Sequence, residues 1–211
     1  LDNNGTFGDA TGMTPSLNWG QTKAYINVGV NTIQVRVTDS SNTANLSHTA
    51  STTVTLGNVA PTAEAGGPYT INEGQQLLLD GSGSNDPGGD TLTYSWDLNN
   101  DGTFGDTTGV SPTVPWATLK TFITDGVNPI TVRVTDSGNA ANLSNDAPTT
   151  VTITNLAPTA VTGGPYAMDE GQDLQLNAAS SSDPGGDTLT YEWDLDNDSV
   201  FGDVSGVSPL V

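Results

Sequence analysis

An all-β chain of two-sheet sandwiches, repeated every 97 residues, is what this sequence predicts. Three observations carry the prediction. Apolar residues fall on alternate positions, the period of a half-buried strand. Gly (25 residues) and Pro (12) interrupt the chain at short intervals, leaving no run that reads as helix. Finally, Phe7, Phe104 and Phe201 stand 97 residues apart within matching GTFGD, GTFGD and SVFGD segments. Residues 1–58 align without gaps on 98–155 with roughly 34 identities, more than shared composition supplies. The 211 residues therefore divide into a partial repeat (1–59), a complete repeat (60–156) and a second partial repeat (157–211).

In the complete repeat, Leu77 and Leu79 alternate in a first strong strand, and Leu92, Tyr94, Trp96 and Leu98 in the next. Ile130, Val132 and Val134 form a third, with Thr131, Arg133 and Thr135 facing water, and Val151 and Ile153 close the unit. Such strands pack one face on a core and leave the other wet. Trp96, in mid-strand, stands where an immunoglobulin-like sandwich places its central aromatic. No cysteine is available for an inter-sheet disulfide, so packing around Trp96 must hold the sheets unaided or with help from bound metal. Trp19 and Trp116 are read as core residues, with sugar-stacking platforms as the alternative. His48 has Asn145 as its counterpart and is read as a surface residue. The repeated NVAPTA and NLAPTA are short joints stiffened by proline.

Composition narrows the partners. With 24 acidic residues against Lys23, Arg36, Lys120 and Arg133, the formal charge is -20. Nucleic acid is not an expected partner, because neutralising phosphates takes a basic patch. Nor does any apolar run approach the ~20 residues of a spanning helix. Charge of this magnitude repels itself unless salt screens it or bound cations neutralise it. Leu1 falls mid-repeat, so a native N-terminus is expected upstream.

The stretch DLNNDGTFGD, Asp97 to Asp106, has the spacing of a calcium loop. Such loops take oxygens from positions 1, 3, 5 and 7, the last through its backbone carbonyl, with Gly at 6 for the turn. Asp97, Asn99, Asp101 and Thr103 fill those positions, Gly102 is the sixth residue, and Asp106 offers a further oxygen where the usual bidentate Glu is missing. Phe104 is expected to anchor the loop to the core. In the third repeat the set becomes Asp194, Asp196, Asp198, Val200 and Asp203, with Ser199 in place of the glycine. The first repeat keeps Asp2, Asn4 and Asp9. The same residue types also build plain surface turns, but the ligand spacing favours calcium.

A second acidic cluster is NDPGGD, Asn85 to Asp90, repeated as SDPGGD ending at Asp187. Proline and glycine in this order specify a tight turn with or without a ligand. In a sandwich, Asp86 and Asp90 should approach Asp136 near the entering Asn58. The Asp97–Asp106 loop and the NEG turn of Glu73 should lie at the other pole. Stacked head to tail, the Asp2–Asp9 loop of one repeat is then expected near Asp86, Asp90 and Asp136 of the next, with calcium bridging the joint.

The segments APTAEAGGPY, GSGSNDPGGDTLTYSWDLNNDGTFGD and ITVRVTDSGN together resemble a PKD (polycystic kidney disease) domain of the bacterial, secreted kind, across residues 60–156. The resemblance implies an immunoglobulin-like β-sandwich used as an extracellular spacer or binding accessory in surface proteins and hydrolases. Many members carry a short WDFGDG, lengthened here to WDLNNDGTFGD. Two roles follow. One is a non-catalytic array on a cell surface, as stalk, adhesin or fibre, whose partners are its neighbouring repeats and, by self-assembly into filaments, further copies. The other is a glycan- or substrate-binding accessory of a secreted hydrolase. Catalysis by the chain itself is not expected, since no Ser, His and Asp set recurs and acids in open Gly-bearing turns lack the pocket that raises a catalytic pKa.

Overall fold

The computed structural model describes residues 4–39, 46–136 and 142–211. Over them, one-turn helix α1 (Trp19–Thr22) precedes strands β1 (Gly29–Thr38) and β2 (Ser47–Leu56). The central repeat follows as β3 (Tyr69–Asn72), β4 (Leu77–Leu78), β5 (Leu92–Asp97), β6 (Thr107–Thr108), β7 (Thr113–Val114), helix α2 (Trp116–Leu119), β8 (Gly126–Asp136) and β9 (Ser144–Thr154). The third repeat contributes β10 (Glu192–Trp193) and β11 (Val204–Ser205).

In the central repeat β3, β9, β8, β5 and β6 form a five-stranded sheet in that order, and β4 pairs with β7 in a second, smaller one. The alternation read from the sequence places the core. Leu77, Leu79, Trp96, Leu98, Ile130, Val132, Val134, Val151 and Ile153 are all buried, while Thr131, Arg133 and Thr135 are half-buried on the opposite face of β8. Trp96 is fully buried, and its indole N–H donates to Gly109 O at 3.1 Å. β10 pairs with β11 in the register that β5 and β6 use, Glu192 opposite Ser205 as Ser95 is opposite Thr108.

In β1, Val35 and Val37 are 56% and 67% exposed, whereas their counterparts Val132 and Val134 are fully buried. The same side chains are core only where the facing strands of the repeat are present.

Two expectations are corrected. One-turn helices exist where none was expected. α1 is set by a capping box: Gln21 N donates to the Asn18 side chain at 3.0 Å and Asn18 N to the Gln21 side chain at 3.1 Å. Neither Trp19 nor Trp116 is core. Both open these helices, Trp19 exposed and Trp116 half-buried, while the fourth residue of α2, Leu119, is the one that enters the interior. His48 is exposed on β2, as expected.

By compactness the chain falls into two units. One comprises Leu1–Thr62, Ser84–Thr93 and Val134–Asn145, the other Ala63–Gly83, Tyr94–Arg133 and Asp146–Val211.

In the second unit, Tyr69 ties the start of the central repeat together. Its hydroxyl donates to Ala65 O at 2.7 Å and accepts from Asp80 N at 2.9 Å. The Asp80 carboxylate then accepts from Ser82 N at 2.9 Å and from the Ser111 hydroxyl at 3.2 Å. The Ser82 hydroxyl and N–H, with Ser111 adding, hold Asp80 below the usual carboxylate range. A carboxylate whose pKa is lowered by folding contributes stability above its unfolded value, and that stability is lost as pH falls through the folded value. Asn177 occupies the equivalent place in the third repeat and accepts from Ala179 N at 2.9 Å without titrating. Asp80→Asn is therefore expected to flatten the fall in melting temperature below about pH 4. An unchanged acid limb in the variant would remove Asp80 from the account.

Candidate metal centres

The Asp97–Asp106 loop leaves the end of β5 and returns to β6. Its side-chain oxygens are turned onto backbone donors. Asp97 accepts from Asp101 N at 3.2 Å and Gly102 N at 2.8 Å, and Asp106 accepts from Leu98 N at 2.7 Å. Asn99 and Asp101 accept from the N–H groups of Asp101 and Thr103 at 3.1 and 2.7 Å. Gly102 takes φ 85°, the left-handed conformation for which glycine stands at the sixth position. Phe104 is half-buried and does not anchor in the core as expected. The Arg133 guanidinium lies 3.9 Å from its ring centroid, and Arg133 in turn makes a bidentate pair with Asp146 at 2.8 and 2.7 Å. Arg36 repeats this over Phe7 at 4.3 Å.

The candidate ligands of this type fare differently in each repeat. Asp97, Asn99, Asp101, Thr103 and Asp106 form a closed set of turn hydrogen bonds, and the Asp97–Asp106 carboxylates are not among the three convergent groups of acidic side chains in the described residues. In the third repeat Asp194, Asp196 and Asp203 do converge, with ligand atoms within 4.8 Å of one another. Asp198 instead accepts from Val200 N at 2.8 Å, and Ser199 takes φ 73° at the glycine position. In the first repeat Asn4 accepts from Thr6 N at 2.7 Å, Asp9 is half-buried, and Asp2 lies outside the described residues.

The second convergent group is Asp86, Asp90 and Asp136, the trio expected from the sequence. The turn sets it: Asp90 N donates to Asp86 Oδ1 at 3.0 Å, and Gly89 N to Asp86 O at 3.1 Å. Asn85 and Thr62 exchange two backbone bonds at 2.8 and 3.0 Å, which fixes the turn against the incoming linker. Asp136 is fully buried at the end of β8, where Leu143 N and the Asn58 amide donate to its two oxygens, both at 2.9 Å. Asp86 Oδ2 is buried with no hydrogen-bond partner. An ionised oxygen taken from water without a donor is costly, and a cation held by all three carboxylates would offset that cost. Three carboxylates are hard oxygen donors of the kind calcium takes. The residues present fit such an ion.

The third convergent group is Glu73, Asp183 and Asp187. Asp183 Oδ1 accepts from Gly185 N at 2.8 Å and Asp187 N at 3.0 Å, the turn of Asp86 repeated one period later. Glu73 is 2% exposed and accepts from Leu156 N at 2.6 Å. At this turn the carboxylate supplied by the preceding repeat is Glu73 of the NEG turn. Sequence reasoning placed Glu73 at that pole but not among the ligands. Its recurrence as Glu170, in DEG, was the available clue.

The sequence model of the PKD domain family matches residues 58–152 and 155–208. The chain belongs to the PKD domain family. Its repeats are accordingly immunoglobulin-like β-sandwiches, and both DPGGD turns fall within the matched PKD segments. Among curated proteins, the chain is 29% identical over 142 residues to the highly immunogenic outer capsid protein of Enterobacteria phage T4, covering 64% of this chain and 35% of that protein. Among solved structures, one match is a nucleoside hydrolase-related hypothetical protein from Saccharophagus degradans that is associated with carbohydrate metabolism. It is 22% identical at a TM-score of 0.34, covering 46% of this chain and 26% of that one. The chain thus spans about a third or less of the length of these relatives. No helix among the described residues is long and apolar enough to cross a membrane.

The two clusters share residues that recur one repeat apart. Asp86 and Asp90 recur as Asp183 and Asp187, and Asn58 as Asn155. At the first cluster the third carboxylate is Asp136, from the repeat that owns the turn. At the second it is Glu73, from the preceding repeat.

Proposed function

We propose that these PKD repeats form a non-catalytic extracellular array, as stalk, adhesin or fibre at a cell surface, whose joints are stiffened by bound calcium. The observation that carries the reading is the convergence of carboxylates at both joints, Asp86, Asp90 and Asp136 beside Asn58, and Glu73 with Asp183 and Asp187 beside Leu156. Carboxylates this close repel, and a divalent cation converts the repulsion into attraction. The gap-free repeat supports the same reading, since no loop carries an insertion that would specialise one unit. A surface setting is in keeping with the outer capsid location named for the phage relative. The glycan-binding alternative has less support, because the indole N–H of Trp116 is engaged by Gly185 O at 2.9 Å rather than free on a platform.

The test is small-angle scattering and thermal melting of the 211-residue chain in millimolar calcium and again in chelator. Chelation is expected to broaden the distribution of solution dimensions and to lower the melting temperature by about 5 °C or more. Identical scattering and melting in the two conditions would rule out calcium as the stiffening agent.

A further inference from the structure

Residues of two elements of the central repeat close on the Pro184–Gly185–Gly186 turn that follows it, all within the second compact unit. Trp116, the first residue of α2, donates its indole N–H to Gly185 O at 2.9 Å, and Lys120, just past the end of α2, donates its ammonium to the same oxygen at 3.2 Å. On the other side stands the NEG turn. A Cβ on Gly185 would collide with Glu73 Oε2, and a Cβ on Gly74 would stand 2.6 Å from Pro184 O. Gly185 is buried, and Gly186 and Gly74 take φ 80° and 79°, a conformation side chains disfavour. Both surfaces are therefore stripped of side-chain bulk where they meet.

We infer that each repeat carries a socket, made of Glu73, Gly74, Trp116 and Lys120 or their equivalents, that grips the Asp-Pro-Gly-Gly-Asp turn of the next repeat independently of any metal. The socket's partner is thus a turn that presents a bare carbonyl flanked by glycine. Two donors on one carbonyl oxygen use both of its lone pairs, which orients the turn as well as holding it. The pattern recurs one period earlier. Lys23 Nζ lies 3.7 Å from the Cβ position of Gly89, as Lys120 Nζ lies 3.1 Å from that of Gly186. Trp19 and Lys23 keep the spacing of Trp116 and Lys120, and Glu170 with Gly171 repeats Glu73 with Gly74. This gives DPGGD a role that cation binding does not require of it: the acids hold the ion, while the glycines admit the neighbour.

The test is hydrogen exchange of the tryptophan indole N–H groups in the ¹⁵N-labelled full chain, in chelator, so that failure of the calcium reading leaves it untouched. The Trp96 indole, bonded to Gly109 O inside the central repeat, reports folding independently of the joint. In the unmodified chain the Trp116 indole is expected to exchange slowly. In Gly185→Ala it should exchange about tenfold faster or more while Trp96 is unchanged. Fast exchange of Trp116 in the unmodified chain, or undiminished protection in Gly185→Ala, overturns the socket. If Gly185→Ala also strips protection from Trp96, Trp116→Phe decides: faster exchange at the Leu156 amide with Trp96 intact supports the socket, and unchanged Leu156 protection overturns it.

Discussion

Trp96→Ala is expected to unfold the central repeat, or to leave it so weakened that its urea midpoint falls close to zero. The indole is fully buried, its N–H is bonded to Gly109 O, and the Trp96 carbonyl accepts from Gly105 N and Asp106 N at 3.0 and 3.1 Å. Truncating a buried tryptophan costs about 3–5 kcal/mol, a large part of the 5–15 kcal/mol by which domains are stable. No disulfide is present to absorb the loss. Trp193 makes the equivalent bond to Gly206 O at 3.0 Å but is only half-buried, so Trp193→Ala should cost clearly less. Urea denaturation of both variants checks the pair, and equal costs would show that burial of Trp96 is not what sets the stability of this repeat.

The second large effect is at Asp136, which separates structural from metal-dependent stability. Removing its carboxylate takes an acceptor from Leu143 N and one from the Asn58 amide, both half-buried beside it. Losing these two bonds costs about 1–3 kcal/mol, and this part persists in chelator. On the proposed function a second loss appears only with calcium. An ion present at a hundredfold its dissociation constant stabilises the folded state by about 2.7 kcal/mol, and the variant forfeits most of that increment. Melting Asp136→Ala and the unmodified chain with and without calcium resolves the two parts. A variant that keeps the full calcium-induced shift would remove Asp136 from the ion site. A variant as stable as the unmodified chain in chelator would contradict the buried hydrogen bonds.

Much of this is legible in the sequence. Alternation in Ile130, Val132 and Val134 identifies the core face of β8 because a period of two has one physical cause. Sandwich topology places Asp86, Asp90 and Asp136 at one pole, where the turn before the Trp96 strand meets the end of β8. What was not legible depends on partners that are distant or that spacing does not reveal. α2 is four residues long, too short for helical periodicity, and Trp116 was assigned by bulk to a core it does not enter. The Asp97–Asp106 spacing is common to a metal loop and to a turn that feeds its oxygens with its own N–H groups. Spacing cannot distinguish the two donors. Glu73 is not legible as a ligand because its fellow carboxylates, Asp183 and Asp187, belong to the next repeat.

One feature of the central sheet bears on how such an array would respond to being pulled. β3 and β9 lie side by side and parallel, Tyr69 opposite Val151 through Asn72 opposite Thr154, and Glu73 N extends the ladder to Thr154 O at 3.0 Å. Tension along the chain draws β3 toward its own start and β9 toward its own end. Parallel neighbours drawn in opposite senses slide past one another, so their hydrogen bonds share the load and must break together. An antiparallel pair such as β1 and β2, pulled from its open end, would instead peel one bond at a time. The order of strands gives the central repeat the geometry of a shear joint.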